Sequence, residues 1–176
     1  MIIKDKYREF KNFFRNIWLF RKQLTRFQWW DYSFTLDMLS KSLEIMANNL
    51  ETKGIEVDTP RMKKVAKIRR VIELIGNREG IEHIEMAEKE LGSLYISKPE
   101  FEKIEENPTY YTMKYNETEE QKEHNRKVYD RARQLEEQEW NEIWDILKGQ
   151  DIKKYKPKKQ DWDDWFDGSG MNTWWD

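Results

Sequence analysis

Carboxylates at a regular spacing are the residues of this chain that could do hydrolytic chemistry. Two carboxylate pairs, each spaced by three residues and carried on separate helices, would hold magnesium for the hydrolysis of a nucleotide pyrophosphate. The spacing occurs at Glu136, Glu139, Glu142 and Asp145, and again at Glu82 and Glu85. The first set lies on one predicted helix and drifts around it, and Glu-rich helices produce such spacings by chance. A magnesium site is therefore disfavoured.

The sequence lacks the residue patterns that other catalytic chemistries need. The 176-residue chain has no Cys, which excludes thiolate nucleophiles, disulfides and zinc–cysteine sites. Neither His83 nor His124 has a Glu three residues before it, as the E-x-x-H pairs of di-iron proteins require. No Gly-rich phosphate loop follows a strand pattern, and the C-terminal acidic residues do not match a calcium loop. We expect no enzymatic activity, no metal and no cofactor.

A basic stretch is the best candidate for binding an anion. Six basic residues lie between Arg61 and Arg70, on a predicted helix that begins near Pro60. A helical wheel puts Arg61 on the apolar side of this helix, with Lys64 and Arg69 flanking that side. The other three bases point away from it toward solvent: Lys63, Lys67 and Arg70.

A basic residue on an apolar side needs a partner, because an unpaired buried charge is very costly. The partner is either a carboxylate of the chain, such as Asp31 or Asp37, or an anionic ligand. The residues that would meet the phosphate of a nucleotide-like ligand are Arg61, Lys64 and Arg69. Those that would stack on its base are Trp30, Tyr32 or a tryptophan near the C-terminus.

Helices must position these residues. Charged residues make up 38% of the chain and aromatic residues 14%, with only seven Gly and four Pro, which fits long solvated helices. Helical periodicity predicts an all-α bundle of about four to five helices in one domain over residues 1–150. The predicted helices cover residues 7–27, 32–52, 79–91 and 118–147, with another from Pro60. No strand pattern is evident. The irregular stretch 92–116 is expected to hold a short helix near residues 99–105 and a stacking surface or lid made by Tyr110, Tyr111 and Tyr115.

Capping residues predict where these helices begin and end. Asp31 or Ser33 caps the second helix, and Gly54 ends it. Thr118 and Gln121 match a capping box at the start of the last long helix. The second helix has two apolar sides, one formed by Leu36, Leu39, Leu43, Met46 and Leu50 and the other by Phe34, Met38 and Ile45. Such a helix is either central in its own bundle or buried by a second subunit, which favours a homo-oligomer.

The first predicted helix is amphipathic and basic. One half of its wheel carries Tyr7, Phe10, Phe13, Phe14, Ile17, Trp18, Phe20, Leu24 and Phe27. A narrow band on the other half carries Arg8, Lys11, Arg15, Lys22 and Arg26, while Leu19 and Arg21 break the pattern. We expect the aromatic side to pack on the bundle. The alternative is a helix that lies on a membrane surface.

Residues 161–176 form a tail, which holds four Trp, one Phe, five Asp and no base and follows a basic linker, residues 151–160. Burying one large apolar side chain gains about 1.5–3 kcal/mol, so we expect the tail to dock on its own or a neighbouring subunit, with its Asp residues facing the bases of the first helix. The docking residues would be Trp162, Trp165, Phe166, Trp174 and Trp175. The segment 168–170 would be a bend that lets two aromatic clusters reach different pockets. The rival interpretation is a free peptide that captures another protein.

The segment WDYS at residues 30–33 and the ending WFDGSGMNTWWD together resemble short helical proteins carried by tailed bacteriophages. The resemblance covers about the first 75 residues and the tail. It provides no catalytic residue. It implies a viral protein that acts in the cytoplasm of a bacterial host. Small non-enzymatic phage proteins often act against host defences, and one way is to sequester a nucleotide immune signal between subunits, which is the analogy for this chain.

Three functional hypotheses follow. The favoured one is a non-enzymatic homo-oligomer that sequesters an anionic nucleotide-like ligand. The second is an interaction module that blocks a host or phage protein. The third is a peripheral membrane protein that acts through residues 7–27. The formal net charge of −2 points neither to nucleic acid nor to a membrane as the partner. The chain has no run of about eighteen apolar residues, so no membrane span is predicted.

Overall fold

In the computed structural model, the chain forms helices and one small sheet. The structure describes residues 2–77, 82–104, 107–157 and 160–175. The predicted start of the fourth helix at Glu79, residues 158–159 of the linker, residue 105 of the predicted short helix and the last tail residue, Asp176, lie outside the described residues. The mostly helical fold confirms the predicted all-α class.

The helices α1 (Ile2–Thr25), α2 (Tyr32–Lys53), α3 (Asp58–Gly76) and α4 (Glu82–Leu91) precede the strands β1 (Pro99–Ile104) and β2 (Asn107–Tyr115). Then come α5 (Glu119–Lys148), a 3₁₀ helix (Ile152–Lys154), α6 (Trp162–Trp165) and a second 3₁₀ helix (Met171–Thr173). Unit 1 consists of Met1–Glu79 and Glu142–Asp176, and unit 2 of Gly80–Asn141. The division falls within residues 1–150, which the sequence predicts to be one domain.

The predicted caps are present. The backbone N–H of Ser33 donates to the Asp31 carboxylate at 2.9 Å, and hydrogen bonds from the Ser33 side chain and backbone lower the pKa of Asp31. The N–H of Gly54 donates to the carbonyl of Leu50, ending α2. At α5, Thr118 and Gln121 each bond the other's backbone N–H through their side chains, at 3.0 and 3.2 Å. Local capping chemistry therefore sets these helix ends.

The core of unit 1 forms where α2 and α3 pack together and the end of α5 joins them. The helical wheel gives α3 an apolar stripe of Val65, Ile68, Ile72 and Ile75. This stripe and the Leu-rich stripe of α2 are buried or half-buried, and Ile143 and Ile146 of α5 complete the core. The second apolar side of α2, Phe34, Met38 and Ile45, is half-buried in the single chain.

Unit 2 has its own small core between α4 and α5. Ala87, Val128 and Ala132 are buried there, with Ile84, Leu94 and Leu135 packed against them. Arg131 of α5 donates two hydrogen bonds to Glu90 of α4, at 2.6 and 3.0 Å, and this bidentate pair adds a directional link to the apolar contacts.

A β-hairpin replaces the short helix expected near residues 99–105. β1 pairs antiparallel with β2, with Phe101 opposite Met113 and Lys103 opposite Tyr111. The expected helix was wrong because β2 is rich in Thr and Tyr, which favour strands, and it supplies hydrogen-bond partners that β1 cannot provide for itself. The expectation that no strand is present was wrong for the same reason.

Candidate functional site

α1 contacts the rest of unit 1 mainly through residues outside the aromatic half of its wheel. Leu19, Phe20 and Gln23 are half-buried. At 100° per residue, Leu19 and Gln23 lie outside the aromatic half of the wheel. Just after the helix, the ring of Phe27 meets that of Phe34 edge-on, with 4.6 Å between centroids. Leu19, which interrupts the amphipathic pattern, is thus a contact residue.

The aromatic side of α1 faces outward in the single chain. We call the following residues the aromatic face: Tyr7, Phe10, Phe13, Phe14, Ile17, Trp18 and Leu24. Their exposed fractions lie between 40% and 70%. The rings of Phe10 and Phe14 contact each other, with centroids 4.6 Å apart. The expectation that this side packs on the bundle is therefore wrong for one copy of the chain.

Basic residues border the aromatic face. Arg8, Lys11, Arg15, Lys22 and Arg26 are exposed and lie in one band of the helix surface, on the side opposite Phe13 and Leu24. The guanidinium of Arg21 lies over the ring of Trp18, 4.0 Å from the centroid. The helix therefore has three sides, which are a contact side, an aromatic face and a basic band.

Two of the basic residues predicted to bind a ligand already have partners within the chain. Arg61 donates to the carbonyl of Gly54 at 2.6 Å and pairs with Asp58, while its buried Nε–H has no hydrogen-bond partner. Lys64 is buried and pairs with Glu56 at 2.6 Å. The carboxylates expected from the sequence, Asp31 and Asp37, are not the partners in these contacts.

The third predicted cation, Arg69, pairs with Glu51 near the end of α2. Tyr32, a predicted stacking residue, begins the same helix, so it lies about 28 Å from Glu51 along the axis. Trp30 precedes Tyr32 and meets Trp29 edge-on at 5.5 Å. Within one chain, the structure does not bring these two rings together with the three cations.

The first half of the tail docks as a ring cluster. The ring of Trp162 contacts those of Tyr155, Trp165 and Phe166, and Tyr155 also contacts Trp165, with centroid distances of 5.1 to 5.4 Å. Phe166 is buried. Gln150 donates to the carbonyl of Trp165 at 2.8 Å and accepts from the backbone N–H of residue 167 at 3.0 Å. Tyr155 of the linker and Gln150, just before the linker, thus hold the tail.

The second half of the tail enters the core of unit 1. Trp174 is 2% exposed and belongs to the cluster formed by α2, α3 and α5. Gly170 donates its N–H to the carbonyl of Ile146 at 2.8 Å. Gly168 and Gly170 both have positive φ, +88° and +100°. They form the predicted bend between the two aromatic groups, and the tail docks on its own chain.

The position in which the tail docks corrects two expectations. The sequence predicts pairing with the bases of α1, but Lys63 and Lys67 of α3 hold the tail. Lys63 donates to the carbonyls of Asp163 and Phe166, the latter at 2.9 Å, and Lys67 pairs with Asp167 at 3.4 Å. These lysines point away from the apolar stripe of α3, and the tail covers that side. Trp175 is 73% exposed, so it is not a docking residue.

Arg70, also expected to face solvent, ties α3 to α5. Its guanidinium donates two hydrogen bonds to Glu142, at 2.7 and 3.0 Å, and pairs with Glu73 at 3.0 Å. These hydrogen bonds raise the pKa of Arg70 and lower that of Glu142. Helical periodicity alone could not identify the partners of Lys63, Lys67 or Arg70.

Two of the carboxylates considered for magnesium have side-chain partners within the chain. Glu139 contacts His83 at 2.8 Å, and Glu142 contacts Arg70. Among the described residues, no group of three or more His, Cys, Asp or Glu side chains could hold a metal ion.

In the part of the chain that the structure describes, no helix is long and apolar enough to cross a membrane. Comparisons with protein families, curated proteins and solved structures gave no match.

Proposed function

We propose that this is a peripheral membrane protein whose helix α1 lies on an anionic lipid surface. One observation carries the proposal. α1 contacts the rest of unit 1 through Leu19, Phe20 and Gln23, which leaves the aromatic face exposed. A contiguous exposed apolar surface of this kind marks an interaction site in a folded protein.

The composition of α1 fits an interfacial helix. Such helices combine Phe, Trp and Leu on one side with Lys and Arg on the other, and they lie in the plane of the membrane rather than across it. Four Phe or Trp side chains, Phe10, Phe13, Phe14 and Trp18, would enter the boundary between headgroups and acyl chains. Burying each of them fully is worth about 1.5–3 kcal/mol.

Charge favours lipid over a second copy of the chain as the occupant of the aromatic face. Residues 1–30 contain eight Lys or Arg and two acids. Two copies of α1 packed together would bring bases close to one another, and like charges repel. An anionic membrane attracts them instead, by about 1 kcal/mol for each base near the surface.

The residues that follow α1 also suit a membrane surface. Trp29, Trp30 and Tyr32 are between 66% and 79% exposed. Such side chains have an apolar body and a polar tip, and they concentrate at the level of the lipid headgroups. This gives Trp30 and Tyr32 a role other than stacking on a nucleotide base.

The nucleotide-sequestration hypothesis at Arg61, Lys64 and Arg69 has less support. A ligand phosphate would have to displace the carboxylates that already pair with these cations. The homo-oligomer also stays a prediction. In the phage context that the resemblance implies, the lipid surface would be the cytoplasmic face of the host membrane.

Vesicle sedimentation tests the proposal. The full chain should bind vesicles that contain phosphatidylglycerol, bind phosphatidylcholine vesicles more weakly, and lose affinity as salt screens the basic band. Sedimentation equilibrium without lipid is the second arm. An oligomer that binds neither kind of vesicle would assign the aromatic face to a second copy and overturn the proposal.

A further inference from the structure

Unit 2 contains an open cleft of about 680 Å³ that the membrane proposal does not use. One wall is the segment Leu94–Ser97, and the other is the first half of α5. The volume lies in the range of small-molecule sites. All of its lining residues belong to unit 2.

Side chains fix the first wall in place. Asn125 of α5 accepts a hydrogen bond from the N–H of Tyr95 and donates one to its carbonyl, both at 2.9 Å. His124 contacts the carbonyl of Ser93 at 3.1 Å. Ser97 donates to Glu117 at 3.0 Å. The cleft is therefore formed before any ligand binds, which lowers the entropy cost of binding.

Three cations line the second wall. Lys122, Arg126 and Arg133 are four and seven residues apart, so they share one side of α5. Arg133 is 77% exposed at its side chain and lies 3.6 Å from Asp130. Arg126 is 69% exposed and pairs with Glu123 one turn away. Exposed pairs of this kind are weak, so both guanidinium groups can turn to a ligand at little cost.

Tyrosines complete the lining. Tyr129 lies on α5 between Arg126 and Arg133, and Tyr95 and Tyr115 come from the facing segments. Tyr129 and Tyr115 are each 49% exposed. A ring flanked by two guanidinium groups on one helix side matches a ligand that has a planar aromatic part and phosphate charge. The acids Glu117 and Asp130 also line the cleft and suit the donors of a ribose or base.

We propose that this cleft binds a nucleoside phosphate. Arg126 and Arg133 hold the phosphates, and the tyrosines contact the base. The site is distinct from Arg61, Lys64 and Arg69, whose side chains are paired within unit 1, and it does not depend on membrane binding.

Isothermal titration calorimetry of the full chain with the four ribonucleoside diphosphates tests this site. At least one should bind with a Kd below about 1 mM, while adenosine and inorganic pyrophosphate, which each carry half of the recognised chemistry, should bind more weakly. Absence of binding by all four diphosphates would overturn the proposal.

Two variants locate the site. R126Q/R133Q should weaken binding by about tenfold or more, because charge-assisted hydrogen bonds to phosphate are lost. Lys127→Gln is the matched control, since Lys127 lies beside Arg126 on α5, is 66% exposed at its side chain and does not line the cleft. Equal affinity in the wild type and the double variant would also overturn the proposal.

Discussion

The indole N–H of Trp174 donates a hydrogen bond to the carbonyl of Gly168 at 2.8 Å. This bond closes the C-terminal tail on itself inside the core of unit 1, so the polar atom of the buried ring is satisfied. The next residue, Trp175, points outward and donates to Asn172 at 2.8 Å. Two neighbouring tryptophans thus have opposite environments, which makes them a matched pair for mutation.

Trp174→Ala should lower the free energy of unfolding by about 3–5 kcal/mol, as truncation of a large buried side chain does. Trp175→Ala should change it by less than about 0.5 kcal/mol. Urea denaturation followed by circular dichroism measures both. Equal losses in the two variants would contradict the docked position of the tail.

Gly168→Ala should undock the tail. Its φ is +88°, and an added Cβ would lie 2.3 Å from the backbone carbon of Lys63, so neither the local backbone nor its neighbour on α3 can accept it. Gly76→Ala is the control, because nothing lies within 4 Å of the added Cβ and Ala is a better helix former. We expect a large loss of stability for the first and, because Gly76 is the last residue of α3, a gain of less than about 0.5 kcal/mol for the second.

Tail docking should weaken in acid through Asp167. Burial raises the pKa of its carboxyl, but hydrogen bonds from Ser169 and the charge of Lys67 outweigh burial and hold the pKa below its ordinary value of 3.8. Because the pKa is lower in the folded state than in the unfolded state, the stabilisation is present above about pH 4 and is lost as the pH falls below that value.

Asp167→Asn should therefore remove part of the loss of stability between pH 5 and pH 2.5, which thermal unfolding across that range measures. Asp164→Asn, at an exposed tail position, should leave the pH profile unchanged. A wild-type profile in Asp167→Asn would show that the carboxylate does not hold the tail.

Glu56→Gln should destabilise unit 1 by about 1–3 kcal/mol, because it removes the charged partner of a buried amine. The side chain of Lys64 is only 7% exposed and that of Glu56 is 31% exposed. Glu119→Gln removes a carboxylate that is 90% exposed from its pair with Lys122 and should cost little. Chemical denaturation measures the loss of unfolding free energy in each variant. If Lys64 binds a ligand but does not stabilise the fold, both losses should be small.

Local chemistry made the ends of α2 and α5 predictable. Asp31, Gly54, Thr118 and Gln121 act on backbone groups within four residues, so their roles can be read from the neighbouring sequence. The stripes of α2 and α3 were predictable because one apolar side must face the core.

Contacts over long sequence distances were not predictable in this way. Lys63 binds tail carbonyls 100 and 103 residues away, and backbone carbonyls leave no mark in a sequence pattern. The tail covers the side of α3 that periodicity assigns to solvent. At α1 the sequence does indicate the contact side. Leu19 is an apolar residue outside the aromatic half of the wheel, and it lies on the side that contacts the rest of unit 1.

The central claim is that the aromatic face of α1 enters an anionic membrane, and one comparison tests it most directly. The fraction of protein that sediments with phosphatidylglycerol vesicles is measured for the wild type, F10S/F14S and Phe101→Ser. Phe101 is the matched control because it is an exposed Phe of unit 2, 64% exposed, against 63% for Phe10 and 53% for Phe14. We expect F10S/F14S to bind about tenfold more weakly or worse and Phe101→Ser to bind as the wild type does. Equal binding by all three proteins would contradict the account.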